Sequence, residues 1–152
     1  MDTAYLLKRY AVVSLITMIA ILAIAYLLQI FVGYDLGSSA SIVSALVPAM
    51  DAGQTYARRT KQRPENGFAW KISAVFVAIN ATLGLAFYLV FSMAFGGLAD
   101  AADLLGAVGA MGWVIIVAVA FVIYWLASRF FFAFGAKNEL KLQEKLAAKK
   151  QP

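Results

Sequence analysis

The chain contains no cysteine and no histidine. Without a thiol there is no disulfide, no thiol nucleophile and no Fe–S ligation. Without an imidazole, the commonest metal ligand, the usual general base and the usual haem axial ligand are all missing, and no cofactor is expected. Charge is scarce as well: Asp, Glu, Lys and Arg make up 14% of 152 residues, against 63% hydrophobic ones. In water such a composition exposes apolar patches that invite association, whereas in lipid it is ordinary. Positive charge is missing altogether outside three stretches. These are Lys8–Arg9; Arg58, Arg59, Lys61, Arg63 and Lys71; and the run from Arg129 to Lys150. The apolar stretches between them carry Asp35, Asp100 and Asp103 in their outer loops but no Lys or Arg. Lys and Arg are retained on the cytoplasmic side of a membrane. The pattern therefore predicts a multi-pass protein of a bacterial inner membrane with all three clusters and both termini cytoplasmic. The net charge of +5 sits at membrane flanks rather than on a folded basic face. It points to anionic lipid headgroups, at about 1 kcal/mol per Lys or Arg near the surface, and not to nucleic acid.

The fold class expected is all-α integral membrane, a single domain over 1–152 with four transmembrane helices. The first span covers 10–32, interrupted by Ser14, Thr17 and Gln29. At 1.5 Å per residue it is roughly 34 Å long, enough to cross the hydrocarbon. The second, 38–57, is broken by Ser41, Ser44, Pro48, Asp51, Gln54 and Thr55. Its crossing is inferred from the charge map, since otherwise the cluster from Arg58 to Lys71 would lie outside. The segment 60–67 is a turn with Pro64 and Asn66–Gly67. The third span covers about 70–95, with Trp70 at the inner interface and Gly96–Gly97 breaking it. A short outer amphipathic segment beginning near Asp100 and Asp103 precedes the fourth span, 113–134, with a bend expected near Gly112. A basic tail, 135–152, forms a separate helix with Lys137, Lys141, Lys145 and Lys149 on one face and Leu142 and Leu146 on a narrow apolar side. Such a helix lies on a membrane or docks a partner. No internal repeat of the transporter kind is present.

Asp51 is the sharpest feature. A carboxylate at membrane depth costs about 2.5–3.5 kcal/mol on insertion scales and has to be paired, hydrated or protonated. Counting inward from the nearest flanking charge puts Asp51 and Arg129 at the same depth, roughly 10–12 Å. An Asp51–Arg129 ion pair is therefore expected, with Ser14 and Thr17 at a similar level and able to hydrogen-bond to it. Gln54 and Asn80 complete the candidate polar site, Asn80 as a bridge between helices. Gly106, Gly109 and Gly112 form a stripe that permits close helix approach. Arg58, Arg59, Lys61, Arg63, Trp70, Lys141, Lys145 and Lys149 are the candidate lipid-headgroup contacts. Catalytic constellations are missing: one intramembrane Asp makes no aspartyl dyad, no Ser has a His, and no phosphate loop follows a strand.

The segment 41–70, SIVSALVPAMDAGQTYARRTKQRPENGFAW, resembles a family of short bacterial inner-membrane proteins of unknown function. The resemblance rests on a Ser-Ile start, on Ala49, Met50, Ala52, Gly53 and Tyr56, on the basic turn with Arg63–Pro64, and on Trp70. It implies four helices and no particular activity. Members usually carry a Glu shortly before the Trp; here the nearest is Glu65.

The expected function is a non-enzymatic accessory or assembly subunit of a larger membrane complex. The alternative is a small transporter or channel-like oligomer that uses the Asp51 region. A weaker third reading is a lipid-binding protein acting through its tail. The partners implied are the bilayer with its anionic headgroups and another membrane protein or a second copy.

Overall fold

The computed structural model describes residues 2–33, 39–95 and 98–149. These are helical in four elements: α1 (Thr3–Val32), α2 (Ser39–Thr60), α3 (Asn66–Phe95) and α4 (Leu98–Ala148). Asp35, Gly37 and Ser38 of the first loop and the Gly96–Gly97 break lie outside the described residues, as do the side chains of Asp100 and Asp103.

Contacts along the helices fix their directions. Arg9 meets Asp51 and Arg59 covers Tyr5, so α1 and α2 are antiparallel. Tyr10 stacks on Phe76 and Ser14 reaches Asn80, so α1 and α3 run together. Arg58 meets Glu139 and Lys61 meets Gln143, so α2 and α4 are parallel. The result is an up-down-up-down bundle. One end, the basic end, gathers Thr3, Thr60, Asn66 and Gln143.

α1 starts well before its apolar run because Asp2 caps it, the carboxylate accepting from the Ala4 N–H at 2.9 Å. Lys8 and Arg9 are thus inside a helix. Gly33 closes it in the left-handed region (φ 67), its N–H reaching the Gln29 carbonyl at 3.2 Å. The bend in α4 is at Gly109 (φ 71, ψ 159) rather than near Gly112. That conformation is open only to a residue without a Cβ. Beyond it the helix runs without interruption to Ala148. The tail is therefore no separate helix but the continuation of the fourth apolar stretch. Gly109–Ala148 comprises 40 residues, about 60 Å, twice the thickness of a hydrocarbon core.

Three helical segments are long and apolar enough to cross a membrane: Thr3–Val32, Asn66–Val90 and Gly109–Ala148. α2 is not among them; its mean hydropathy is low because it carries the polar residues. It is instead the enclosed helix. From 44 to 57 only Val47 is exposed, so its Ser, Thr and Gln side chains face protein. Its small residues Ala45, Ala49, Ala52, Gly53 and Ala57 let the neighbours close on it. The closest approach is to α4, where a Cβ added at Gly53 would run into the Phe132 carbonyl and one at Gly135 into the Met50 carbonyl. Pro48 has no N–H to offer the Ser44 carbonyl, so α2 lacks that one intrahelical bond.

The core clusters toward the basic end. It comprises Leu6 and Tyr10 from α1, Ala49 and Ala52 from α2, Ala69, Ile72 and Phe76 from α3, and Phe132 from α4. Tyr10 and Phe76 stack with centroids 3.9 Å apart, and Phe132 meets Phe76 edge-on at 5.8 Å. Counting from the Arg9–Asp51 contact, Ser39 lies at about the level of residue 21 of α1, roughly 18 Å farther from the basic end. α1 continues roughly 16 Å beyond that level. The far half of the bundle thus lacks its central helix.

Candidate functional site

Asp51 sits two turns in from the end of α2, and α1 presents Arg9 to it. Arg9 Nε donates to Oδ2 at 2.8 Å and Nη2 donates to Oδ1 at 3.0 Å. This is the bidentate geometry that makes Arg–carboxylate pairs the strong ones. The two side chains are 36% and 26% exposed, so the pair lies near the bundle surface rather than sealed within it. The expected Asp51–Arg129 pairing is therefore incorrect. Depth counted from the flanks treated Arg9 as a flanking charge, whereas the Asp2 cap places it within α1. On α4, Met50 faces Gly135 and Gly53 faces Phe132, so the level of Asp51 is near residue 133 and Arg129 lies a turn beyond it.

Arg129 packs on α3 instead. Its guanidinium lies 4.3 Å from the centre of the Trp70 ring, and Nη2 donates to Asn66 Oδ1 at 3.3 Å. Trp125 meets Trp70 edge-on at 5.1 Å and donates its Nε1–H to the Trp70 carbonyl at 3.0 Å.

A second polar node lies one to two turns farther from the basic end. Ser14 Oγ donates to Asn80 Oδ1 at 2.9 Å, and Asn80 Nδ2 donates to the Tyr10 hydroxyl at 2.7 Å. Asn80 is the interhelical bridge its isolation in an apolar span suggested. Ser14 and Thr17 do not serve Asp51: Ser14 is taken by Asn80, and Thr17 donates back to the Val13 carbonyl at 2.7 Å. Gln54 is half-buried on α2. The glycine stripe makes no close crossing at Gly106 or Gly109, where an added Cβ meets nothing; the crossing glycines are Gly53 and Gly135.

Beyond Asn80 is a half-open cavity of about 290 Å³ to which every helix contributes: Met18 from α1, Ser44 from α2, Val77, Asn80 and Gly84 from α3, and Ala120 and Tyr124 from α4. Its wall is almost wholly apolar, with the Asn80 amide as one of its few polar groups. Among the described residues no group of three Asp or Glu side chains is placed to hold a metal ion.

At the basic end, three of the expected headgroup contacts are engaged with protein. Arg58 pairs with Glu139 at 3.0 Å, Arg59 lies 3.6 Å from the centre of the Tyr5 ring, and Lys61 Nζ donates to Gln143 Oε1 at 3.1 Å. Arg63, Lys141, Lys145 and Lys149 are exposed, and Trp70 is half-buried. Arg9, Tyr10, Glu139, Gly135 and Trp125 were not picked out from sequence as site residues. The legible signal for Tyr10 was the spacing Leu6, Tyr10, Ser14, a buried stripe at every fourth residue.

These features define an all-helical protein in which three helices long and apolar enough to cross a membrane surround a shorter polar one. No protein-family model, no curated protein and no solved structure matches the chain.

Proposed function

We propose that the chain is a non-enzymatic, four-span protein of a bacterial inner membrane, with both termini and the basic end cytoplasmic, and that it serves as an accessory or assembly subunit of a larger membrane complex. α2 makes the fourth crossing, sheltered by its neighbours. The observation that carries this reading is the pairing of Asp51: both carboxylate oxygens are held by Arg9, so the one intramembrane acid is committed to joining helices. The Asn80 node likewise joins α1 to α3. What is left uncommitted is surface. α4 extends the bundle with Lys137, Lys141, Lys145 and Lys149 exposed and with Leu142 and Leu146 half-exposed beside them. The likeness of the 41–70 segment to a four-helix inner-membrane family agrees with the topology and adds no activity.

Affinity purification of the full chain from native membranes in a mild detergent, with stoichiometry by mass spectrometry, tests the reading. A stoichiometric membrane-protein partner, lost on substituting Leu142 and Leu146 by Ser, is expected. A homogeneous assembly of this chain alone overturns it. That result favours a second reading, a small transporter or channel-like oligomer, for which the four-helix cavity beside Asn80 is the supporting observation.

A further inference from the structure

Arg129 differs from the other arginines that touch the bundle. Arg9 and Arg58 have carboxylate partners. Arg59 has no acid but is exposed, so water serves it. Arg129 is half-buried, its Nε is fully buried with no hydrogen-bond partner, and among the described residues no acid lies within ion-pair distance of it. Glu65, next to Asn66 in sequence, is exposed and makes no ion pair with it. A guanidinium carries five N–H donors in a planar fork. Here one goes to Asn66 and the plane is held against Trp70. Trp70 is itself fixed by Trp125. The cation is thus pre-positioned, which lowers the ordering cost of binding, and most of its donors are unspent.

Its place in the chain suggests what it binds. Trp70 adjoins exposed Lys71 at the edge of the basic cluster from Arg58, while residues 114–119 of α4 form an exposed apolar wall farther from the basic end. Trp and Arg side by side where charge gives way to apolar surface is the arrangement found at a membrane–water boundary. We propose that Arg129, with Trp70, Asn66 and Lys71, forms a phosphate-binding site on the α3–α4 face that holds the headgroup phosphate of one anionic phospholipid. Arg supplies the paired donors that match phosphate oxygens, Lys71 adds charge, and the α4 wall takes the acyl chains. The inference rests on the proposed membrane placement of α3 and α4 and not on the accessory role.

The full chain is placed in nanodiscs of equal phosphatidylcholine and phosphatidylglycerol and released for native mass spectrometry. One retained phosphatidylglycerol is expected. Arg129→Gln weakens its retention about tenfold or more, in keeping with loss of charge-assisted hydrogen bonds. Arg129→Lys keeps the charge without the fork and falls between. Adding inorganic phosphate separates the two sources of the chemistry. Displacement of the lipid at low millimolar phosphate assigns the site to phosphate as such, and its failure assigns it to the lipid. Equal retention by Arg129→Gln, or no selective adduct with the unaltered chain, overturns the proposal. Alkaline carbonate extraction of both proteins distinguishes that failure from a failure of membrane placement, since a misplaced chain is released from membranes. Should Arg129→Gln not survive purification, Trp70→Leu carries the same test, because it removes the ring that holds the guanidinium.

Discussion

The two halves of the bundle are built on opposite rules. Toward the basic end, α2 lies between its neighbours, backbones touch at Gly53 and Gly135, and Tyr10, Phe76 and Phe132 interlock. Both ion pairs found among the described residues are here, together with the Asn80 node. Toward the far end α2 has stopped, and Ile24, Phe31, Met93 and Val114 are 52–77% exposed. The far half is the more apolar and the less packed. In water that would be a contradiction, because apolar density drives burial. In lipid it is the expected result, since lipid tails solvate Ile and Val as well as protein does, and helices associate instead through small residues and hydrogen bonds. The polar and small residues therefore mark the interior of this molecule, and the large aliphatic ones mark its outside.

The sharpest way to break that comparison is to add volume at glycines of the two kinds. At Gly135 the neighbouring atom is the Met50 backbone, which has no rotamer through which to retreat. Gly135→Ala is expected to cost about 3 kcal/mol, the upper part of the overpacking range, and Gly135→Leu to prevent assembly of α2 with α4. Gly53→Ala should behave alike. Gly84, with nothing near an added Cβ, is the counterpart in the looser region. Gly84→Ala is expected to be neutral or stabilising by about 0.5–1 kcal/mol through helix propensity alone. Reversible unfolding in detergent measures both, and equal effects at Gly135 and Gly84 would sink the distinction.

A smaller effect separates the real partner of Asp51 from the one its depth suggested. Asp51→Ala leaves Arg9 half-buried without its carboxylate and is expected to cost about 2 kcal/mol, the range for hydrogen bonds to charged groups. A double-mutant cycle with Arg9→Ala should return a coupling of about 1 kcal/mol or more, while the cycle with Arg129→Ala should be additive within about 0.5 kcal/mol. Coupling to Arg129 instead of Arg9 would contradict the geometry.

That contrast also marks how far the sequence could be read. The all-helical class, the polar character of α2 and the bridging role of Asn80 were legible because they follow from apolar run lengths and from the scarcity of polar groups within them. The partner of Asp51 was not. An axial count gives level but not neighbour, and it took the edge of the apolar run as the edge of the helix, whereas the Asp2 cap starts α1 earlier. The bend was expected near Gly112, the last of three evenly spaced glycines, and falls at Gly109 instead, because equal spacing does not say which glycine takes φ 71. Gly53 lay in a recognised segment and Gly135 stood alone in an aromatic run, and only their juxtaposition across two helices gives either a role. The uninterrupted join of the fourth apolar stretch to the basic tail was hidden by the change of composition near Phe134, across which the helix continues.

The Asn80 node tests the same rule at lower energy. Asn80→Leu removes the bonds to Ser14 and Tyr10 together. Interhelical hydrogen bonds in membranes average about 0.6 kcal/mol, so a loss near 1 kcal/mol is expected in detergent unfolding. A loss of several kcal/mol would mean that the node organises the fold rather than fastening it.

The smallest effect expected is also the one that most sharpens the contrast. Val114→Ala and Ile115→Ala alter side chains that are 63% and 57% exposed on the far half of α4. If lipid alone covers them, stability of the isolated protein should change by no more than about 0.5 kcal/mol, and co-purification of a partner should be untouched. If a partner subunit covers them, stability still does not move, because that surface is exposed within one chain, but the partner is lost from the purified complex. Measuring unfolding and partner stoichiometry on the same variants separates the two cases. It thereby decides whether the far half is merely solvated by the bilayer or is the surface through which the accessory role is exercised.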